Sequence, residues 1–149
     1  MDKCVVCGSE CEFKSNPATD IFEFNCGNCG GKFKIFDRAA DRIKDVFGED
    51  RYKISSFINE MILRNDINPL IFEDKSNIDK ALKDITYDFS DIKDNFPKTV
   101  TDILDRILLN IYKKTPVPGD NVKIPYDRSN DSKPYPFFYS KYTREAFFI

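Results

Sequence analysis

Near the start of the chain, apolar and polar residues alternate in three short stretches: Glu12-Phe13-Lys14-Ser15, Ile21-Phe22-Glu23-Phe24-Asn25 and Lys32-Phe33-Lys34-Ile35-Phe36. A period of two puts every second side chain on one face, so the pattern predicts three strands, with Asn16-Pro17-Ala18-Thr19-Asp20 as the turn between the first two. Beyond residue 36 the period lengthens. Asp37 is placed to N-cap a short helix carrying Ala39, Ala40, Ile43, Val46 and Phe47, and Gly48 stops it. From about Tyr52 to Asn65, the residues Ile54, Phe57, Ile58, Met61 and Ile62 form a single apolar helical face, and Asn68-Pro69 ends the segment. Ser76-Asn77-Ile78-Asp79 reads as a capping box with Asp in place of the usual Glu, opening a third helix on Ile78, Ala81, Leu82 and Ile85.

Residues 87–95 are polar and turn-rich, and Phe96-Pro97 introduces the strongest helix of the chain. Thr99 is its cap, with Asp102 at the third helical position, and Val100, Ile103, Leu104, Ile107, Leu108 and Ile111 repeat on one stripe that predicts a core helix. The expected core comprises Ile54, Phe57, Met61, Ile103, Leu104, Ile107 and Leu108. Residues 115–136 are then broken up by Pro116, Pro118, Pro125, Pro134 and Pro136, which predicts a loop or wing holding one short strand at Val122-Lys123-Ile124. Tyr135, Phe137, Phe138, Tyr139 and Tyr142 crowd around Lys133, Lys141 and Arg144. Such a cluster either stacks on bases or partners or packs under a long loop, and packing is the preferred reading. The apolar run Ala146-Phe147-Phe148-Ile149 is expected to fold back on the core or to lead into a longer protein.

The candidate chemistry lies among the predicted strands. Cys4-Val5-Val6-Cys7-Gly8 and Cys26-Gly27-Asn28-Cys29-Gly30 are two Cys-x-x-Cys pairs with eighteen residues between them. That gap fits the spacing of a zinc site, and four thiolates suit a tetrahedral Zn²⁺ with bonds of about 2.3 Å. The glycine after each second cysteine supplies the positive φ that such a turn needs. Disulfides require an oxidising compartment, which an odd count of 5 cysteines and the lack of an apolar signal segment do not suggest. A thioredoxin-like redox site uses one Cys-x-x-Cys at a strand-to-helix junction, whereas this stretch has two pairs among strands. A rubredoxin-like iron site uses the same ligands but leaves the helical residues without a role. The preferred metal reading is structural zinc held by Cys4, Cys7, Cys26 and Cys29, because four protein ligands leave no open position for a reacting water. Cys11, outside both pairs, is expected to be a small packed side chain rather than a spare ligand or redox thiol.

At 149 residues the chain has room for a metal-stabilised ribbon over residues 1–36 and a mainly helical, winged-helix-like domain over residues 37–149, together an α+β fold. About thirty-five residues bury too little apolar surface to fold alone, so bound metal contributes to folding directly. With 41% hydrophobic residues the helical part has material for a core, and no apolar run reaches the length of a membrane span. The cysteine usage points to the cytoplasm. Charge argues against phosphate binding: in the ribbon Lys3, Lys14, Lys32 and Lys34 are outnumbered by Asp2, Glu10, Glu12, Asp20 and Glu23, and the whole chain has a pI near 5.3. The chain has no histidine, no Gly-x-Ser-x-Gly and no phosphate-cradling glycine loop, so no catalytic residue is assigned.

The two knuckles, the Gly31-Lys32-Phe33-Lys34-Ile35 strand, the Ile54-Ser55-Ser56-Phe57-Ile58 helix and the late segment Ser140-Lys141-Tyr142-Thr143-Arg144-Glu145-Ala146-Phe147 together resemble the amino-terminal region of bacterial multi-domain defence and stress-response proteins. In those proteins a zinc ribbon and a helical, winged-helix-like unit precede a carboxy-terminal effector, TIR-type effectors among them. The resemblance implies a sensing or scaffolding part. Together with the residues it leads to the expectation of a zinc-stabilised, non-catalytic interaction or sensor module. Its partner would be a protein, a small ligand or a following effector domain. Tyr135, Phe137, Phe138, Tyr139, Tyr142, Phe147 and Phe148 form the candidate interaction surface, and oligomers are allowed. The alternative is a nucleic-acid-binding zinc-ribbon and winged-helix protein.

Overall fold

The computed structural model describes residues 2–74, 76, 86–115, 134 and 136–141. Within them the protein is α+β. Six strands lie in one sheet in sequence order: β1 (Asp2–Lys3), β2 (Glu10–Asn16), β3 (Ile21–Cys26), β4 (Gly31–Phe36), β5 (Leu70–Phe72) and β6 (Thr86–Asp88). β1 to β4 run antiparallel, and β5 and β6 add to them in parallel. The alternating stretches of the sequence form β2, β3 and β4. In β4, Phe33 and Ile35 are buried while Lys32 and Lys34 face water, as a half-covered sheet requires. Across the strands Phe13 opposes Phe24 and Phe24 opposes Phe33, and their ring centroids lie 5.0 and 5.3 Å apart. On the solvent side Glu23 opposes Lys34, and the two charges meet at 3.4 Å.

Parallel strands need a crossover, and here it is α1 (Asp37–Phe47), a 3-10 turn (Gly48–Arg51) and α2 (Tyr52–Asn65). The expected limits of α2 hold, with Asp66 in a left-handed conformation just after it. Asp37 is the first helical residue of α1 rather than its cap, because Phe36 occupies the cap position in an extended conformation as β4 runs straight into the helix. Ala39, Ile43, Phe47, Ile54, Phe57 and Ile58 join Phe33, Ile35 and Ile71 in one buried cluster that extends from the four cysteines to Phe89 and Ile92. Burying each of the larger side chains contributes about 1.5–3 kcal/mol.

Residues 87–95, expected as turn, fall in β6 and in α3 (Phe89–Asn95). The carboxylates of Asp88 and Asp91 form a reciprocal capping box at the start of α3, with Asp91 N donating to Asp88 at 2.9 Å and Asp88 N donating to Asp91 at 3.1 Å. The helix expected from Ser76 falls on residues 77–85, outside the described residues, as does the short strand expected at Val122-Lys123-Ile124.

α4 (Val100–Lys114) has its predicted cap, Thr99 Oγ1 accepting from Asp102 N at 3.1 Å. It is not the core helix expected from its stripe. Ile107 and Asn110 are buried and Ile103 and Ile111 are half-buried, whereas Val100, Leu104 and Leu108 are exposed. Residues three apart stand about 60° apart around a helix, so the stripe splits into two rows, of which Ile103, Ile107 and Ile111 meet the core while Val100, Leu104 and Leu108 do not. Met61, also expected in the core, is half-buried on α2.

Candidate metal centre

The two cysteine pairs sit on hairpin tips. The first lies between β1 and β2 and the second between β3 and β4, and the one turn separating these hairpins is at the opposite end of the antiparallel sheet. Two tips that are alternate turns of a meander share one edge, which is why pairs eighteen residues apart in sequence come together. Each tip is tied by a backbone hydrogen bond from the glycine after its second cysteine: Gly8 N donates to Cys4 O at 2.9 Å and Gly30 N to Cys26 O at 3.1 Å. Both glycines have positive φ, 76° and 107°, a region that costs residues with a Cβ. At Gly30 space matters as well, since a Cβ there would lie 2.7 Å from Asn59 Nδ2 and 3.3 Å from Asn59 Cα. A side chain at residue 30 would crowd Asn59, so glycine suits both the turn and the close approach of α2.

Cys4, Cys7, Cys26 and Cys29 are all buried, and their sulfurs lie within 4.8 Å of one another. Cys7 Sγ and Cys26 Sγ are 3.4 Å apart, and Cys4 Sγ and Cys29 Sγ are 3.9 Å apart. A tetrahedron with bonds of about 2.3 Å has edges near 3.8 Å, so the four sulfurs are spaced to hold a metal ion. The thiols also shift one another's acidity. Hydrogen bonding with Cys26 is the chief influence that lowers Cys7, and hydrogen bonding with Cys29 the chief one that lowers Cys26. Cys4 and Cys29 are raised, each mainly through its hydrogen bond with Cys26. Four buried sulfurs this close cannot all carry charge with no cation among them, and a bound cation would draw all four toward the thiolate form.

Two residues besides the four cysteines support the cluster, and the sequence did not single them out for this role. Ser55 Oγ of α2 lies 3.3 Å from Cys29 Sγ and is wholly buried. Asn28, inside the second pair, donates from Nδ2 to Pro134 O at 2.9 Å and so ties the tip to the segment after the proline-rich stretch. A serine interrupting an otherwise apolar face and an amide inside a knuckle were the only signals available. Cys11 is buried in the same cluster, as expected of a small packed side chain, and burial raises its thiol to about 11.

The candidate interaction surface divides. Tyr135, Tyr142, Phe147 and Phe148 lie outside the described residues. Phe137 and Tyr139 are buried and Phe138 is half-buried, so these three pack inward rather than offering a surface. Leu63 of α2, Ile111 of α4 and Phe138 pack against Phe137. Asn110 Nδ2 donates to Phe137 O at 3.0 Å. Tyr139 reaches a buried charge cluster that the sequence reading missed. Its hydroxyl donates to Glu60 Oε1 at 2.9 Å, Arg64 pairs with the same oxygen, Arg106 NH1 lies 3.5 Å from it, and Asn95 Nδ2 donates to Oε2 at 3.3 Å. The space among these groups is only about 10 Å³, room for at most one water. Beside the sheet an open depression of about 260 Å³ is lined by Val5, Phe13, Phe22, Phe24 and Ala40, below the usual size of a small-molecule pocket.

The fold and the site define an α+β protein in which two hairpin tips assemble a four-cysteine candidate metal centre against a helix. No family model, curated protein or solved structure matches the chain. No helix among the described residues is long and apolar enough to cross a membrane.

Proposed function

We propose that this chain is a zinc-stabilised, non-catalytic interaction or sensor module acting in the cytoplasm, the kind of part that the resemblance to bacterial defence and stress-response proteins implies. The observation that carries the reading is the set of four buried sulfurs within 4.8 Å of one another, all from protein and with Ser55 packed behind. A closed set of four thiolates selects zinc for structure over zinc for catalysis, because an attacking water has no coordination position to occupy. On this reading residues 1–36 are a zinc ribbon, supported by the antiparallel β2, β3 and β4 with both cysteine pairs at one end, and the helical remainder is winged-helix-like. The partner is a protein, a small ligand or an effector domain, in keeping with the acidic balance of the chain.

Elemental analysis of the purified chain tests the metal. A single zinc per chain is expected, lost in Cys4→Ser and Cys26→Ser and retained in Cys11→Ser. Bound iron, visible by its thiolate charge-transfer colour, or full zinc in the Cys26→Ser variant would overturn the assignment. Fluorescence anisotropy on mixed-sequence DNA and RNA tests the partner class. Weak binding is expected, and sub-micromolar affinity with a steep salt slope would instead identify a nucleic-acid binder.

A further inference from the structure

Ser55 and Ser56 are neighbours in α2 and are both buried, at 0% and 1% exposure, yet their hydroxyls serve different partners. Ser56 Oγ donates to Tyr52 O at 3.0 Å, the carbonyl one turn back, which is a common way for a serine inside a helix to be satisfied. Ser55 Oγ instead reaches the second cysteine tip, 3.3 Å from Cys29 Sγ. One turn further along the same side of α2, Asn59 comes so close to Gly30 that a Cβ there would lie 2.7 Å from its Nδ2. The helix is thus seated directly on the tip. Cys29 is itself wholly shielded, at 0% exposure, so water cannot hydrate its sulfur. In the metal-free protein either group of the Ser55–Cys29 pair can donate. A cysteine that ligates a cation has no proton left, so its sulfur only accepts and the hydroxyl must be the donor.

We propose that Ser55 is a positioning residue of the metal centre: its hydroxyl donates to the Cys29 thiolate, orients that sulfur, and so sets how tightly the centre holds its ion and how fast it releases it. The inference rests on the reading of the cluster as a zinc centre. Four thiolates around a divalent cation leave a net negative charge in a buried place, and a donor fixed by the fold takes the part that solvent would play at an open site. The same bond links α2 to occupancy. When the ion is bound, the helix gains a charge-assisted hydrogen bond to the tip in place of the neutral one of the metal-free state.

Chelator competition for Zn²⁺, with Co²⁺ as a spectroscopic substitute, tests this on the full chain, and Ser56→Ala is the matched control. Ser55→Ala is expected to weaken zinc affinity by about tenfold or more and to speed release. It should also move the sulfur-to-cobalt charge-transfer bands to longer wavelength, because a thiolate relieved of a hydrogen bond holds its electrons less tightly. Ser56→Ala should change neither affinity nor bands. Equal losses of affinity in the two variants would overturn the proposal, since the effect would then come from the helix and not from the sulfur. So would a metal-free thermal midpoint that falls in Ser55→Ala while affinity and bands stay in place. A wild-type chain that takes up neither zinc nor cobalt overturns the zinc reading and this inference with it. A tetrathiolate cobalt spectrum and a zinc affinity shared unchanged by wild type and Ser55→Ala leave that reading intact and overturn this inference alone.

Discussion

Glu60 is the residue on which the helices converge. Its carboxylate is nearly excluded from water and accepts from Tyr139, Arg64 and Asn95, with Arg106 close by. Taking it away leaves two guanidinium groups largely buried without their common partner, a situation that typically costs 3–5 kcal/mol. Glu60→Ala is therefore expected to lose about that much in urea unfolding, and a loss below about 1 kcal/mol would mean that the cluster is solvated and weak. α4 supplies a contrast between neighbours. Ile107 is buried and Leu104 is exposed, so Ile107→Ala should cost about 2–5 kcal/mol and Leu104→Ala less than about 0.5 kcal/mol. Equal losses at the two positions would contradict the orientation of the helix.

At the scale of elements, α2 connects the two chemically distinctive regions. One face puts Ser55 and Asn59 against the second cysteine tip, and another carries Glu60 and Arg64 toward α4 and the segment from Pro134 to Lys141. Hydrogen bonds and ion pairs that attach that segment include Pro134 to Asn28, Phe137 to Asn110, Tyr139 to Glu60 and Lys141 to Glu49, the last at 3.0 Å. Of these four, the first involves a cysteine tip. Removing metal from the protein should accordingly raise amide hydrogen exchange at the 3-10 turn Pro136–Phe138, and Asn28→Ala should reproduce part of that rise with metal still bound. Unchanged exchange at Phe137 and Phe138 after chelation would show that the tip and the segment are independent.

At the scale of the whole molecule, the sheet passes through residue 36 without interruption. Lys34 N donates to Pro69 O at 2.9 Å, β5 pairs with β4, and one buried cluster joins the cysteines to α3. A metal ion bound at one end of such a core would stabilise all of it, because an ion that binds only the folded state shifts the entire equilibrium. Calorimetry should show a single transition that moves to lower temperature with a strong chelator. Two transitions, of which only one responds to metal, would mean that residues 1–36 fold as a unit of their own.

The sequence by itself determined the features that depend on near neighbours. The period of two in β2, β3 and β4, the extent of α2, the Thr99 cap and the four-cysteine set could all be read because each rests on local spacing, hydrogen bonding or turn chemistry. Tertiary structure decided what depends on distant partners. Leu70-Ile71-Phe72 becomes a strand because β4 offers it an edge, and Thr86-Tyr87-Asp88 because β5 does. Such three-residue pieces carry no periodicity of their own. The row Val100, Leu104, Leu108 looks like core in one dimension, yet the side of α4 that meets α2 is set by where Glu60 and Phe137 draw Arg106 and Asn110. Arg64 stands four residues from Glu60 on the same helix, a spacing visible in the sequence, but that the carboxylate is buried follows only when folding brings Arg106 and Tyr139 to it. A buried charge is stable only beside such partners, and these two lie far along the chain.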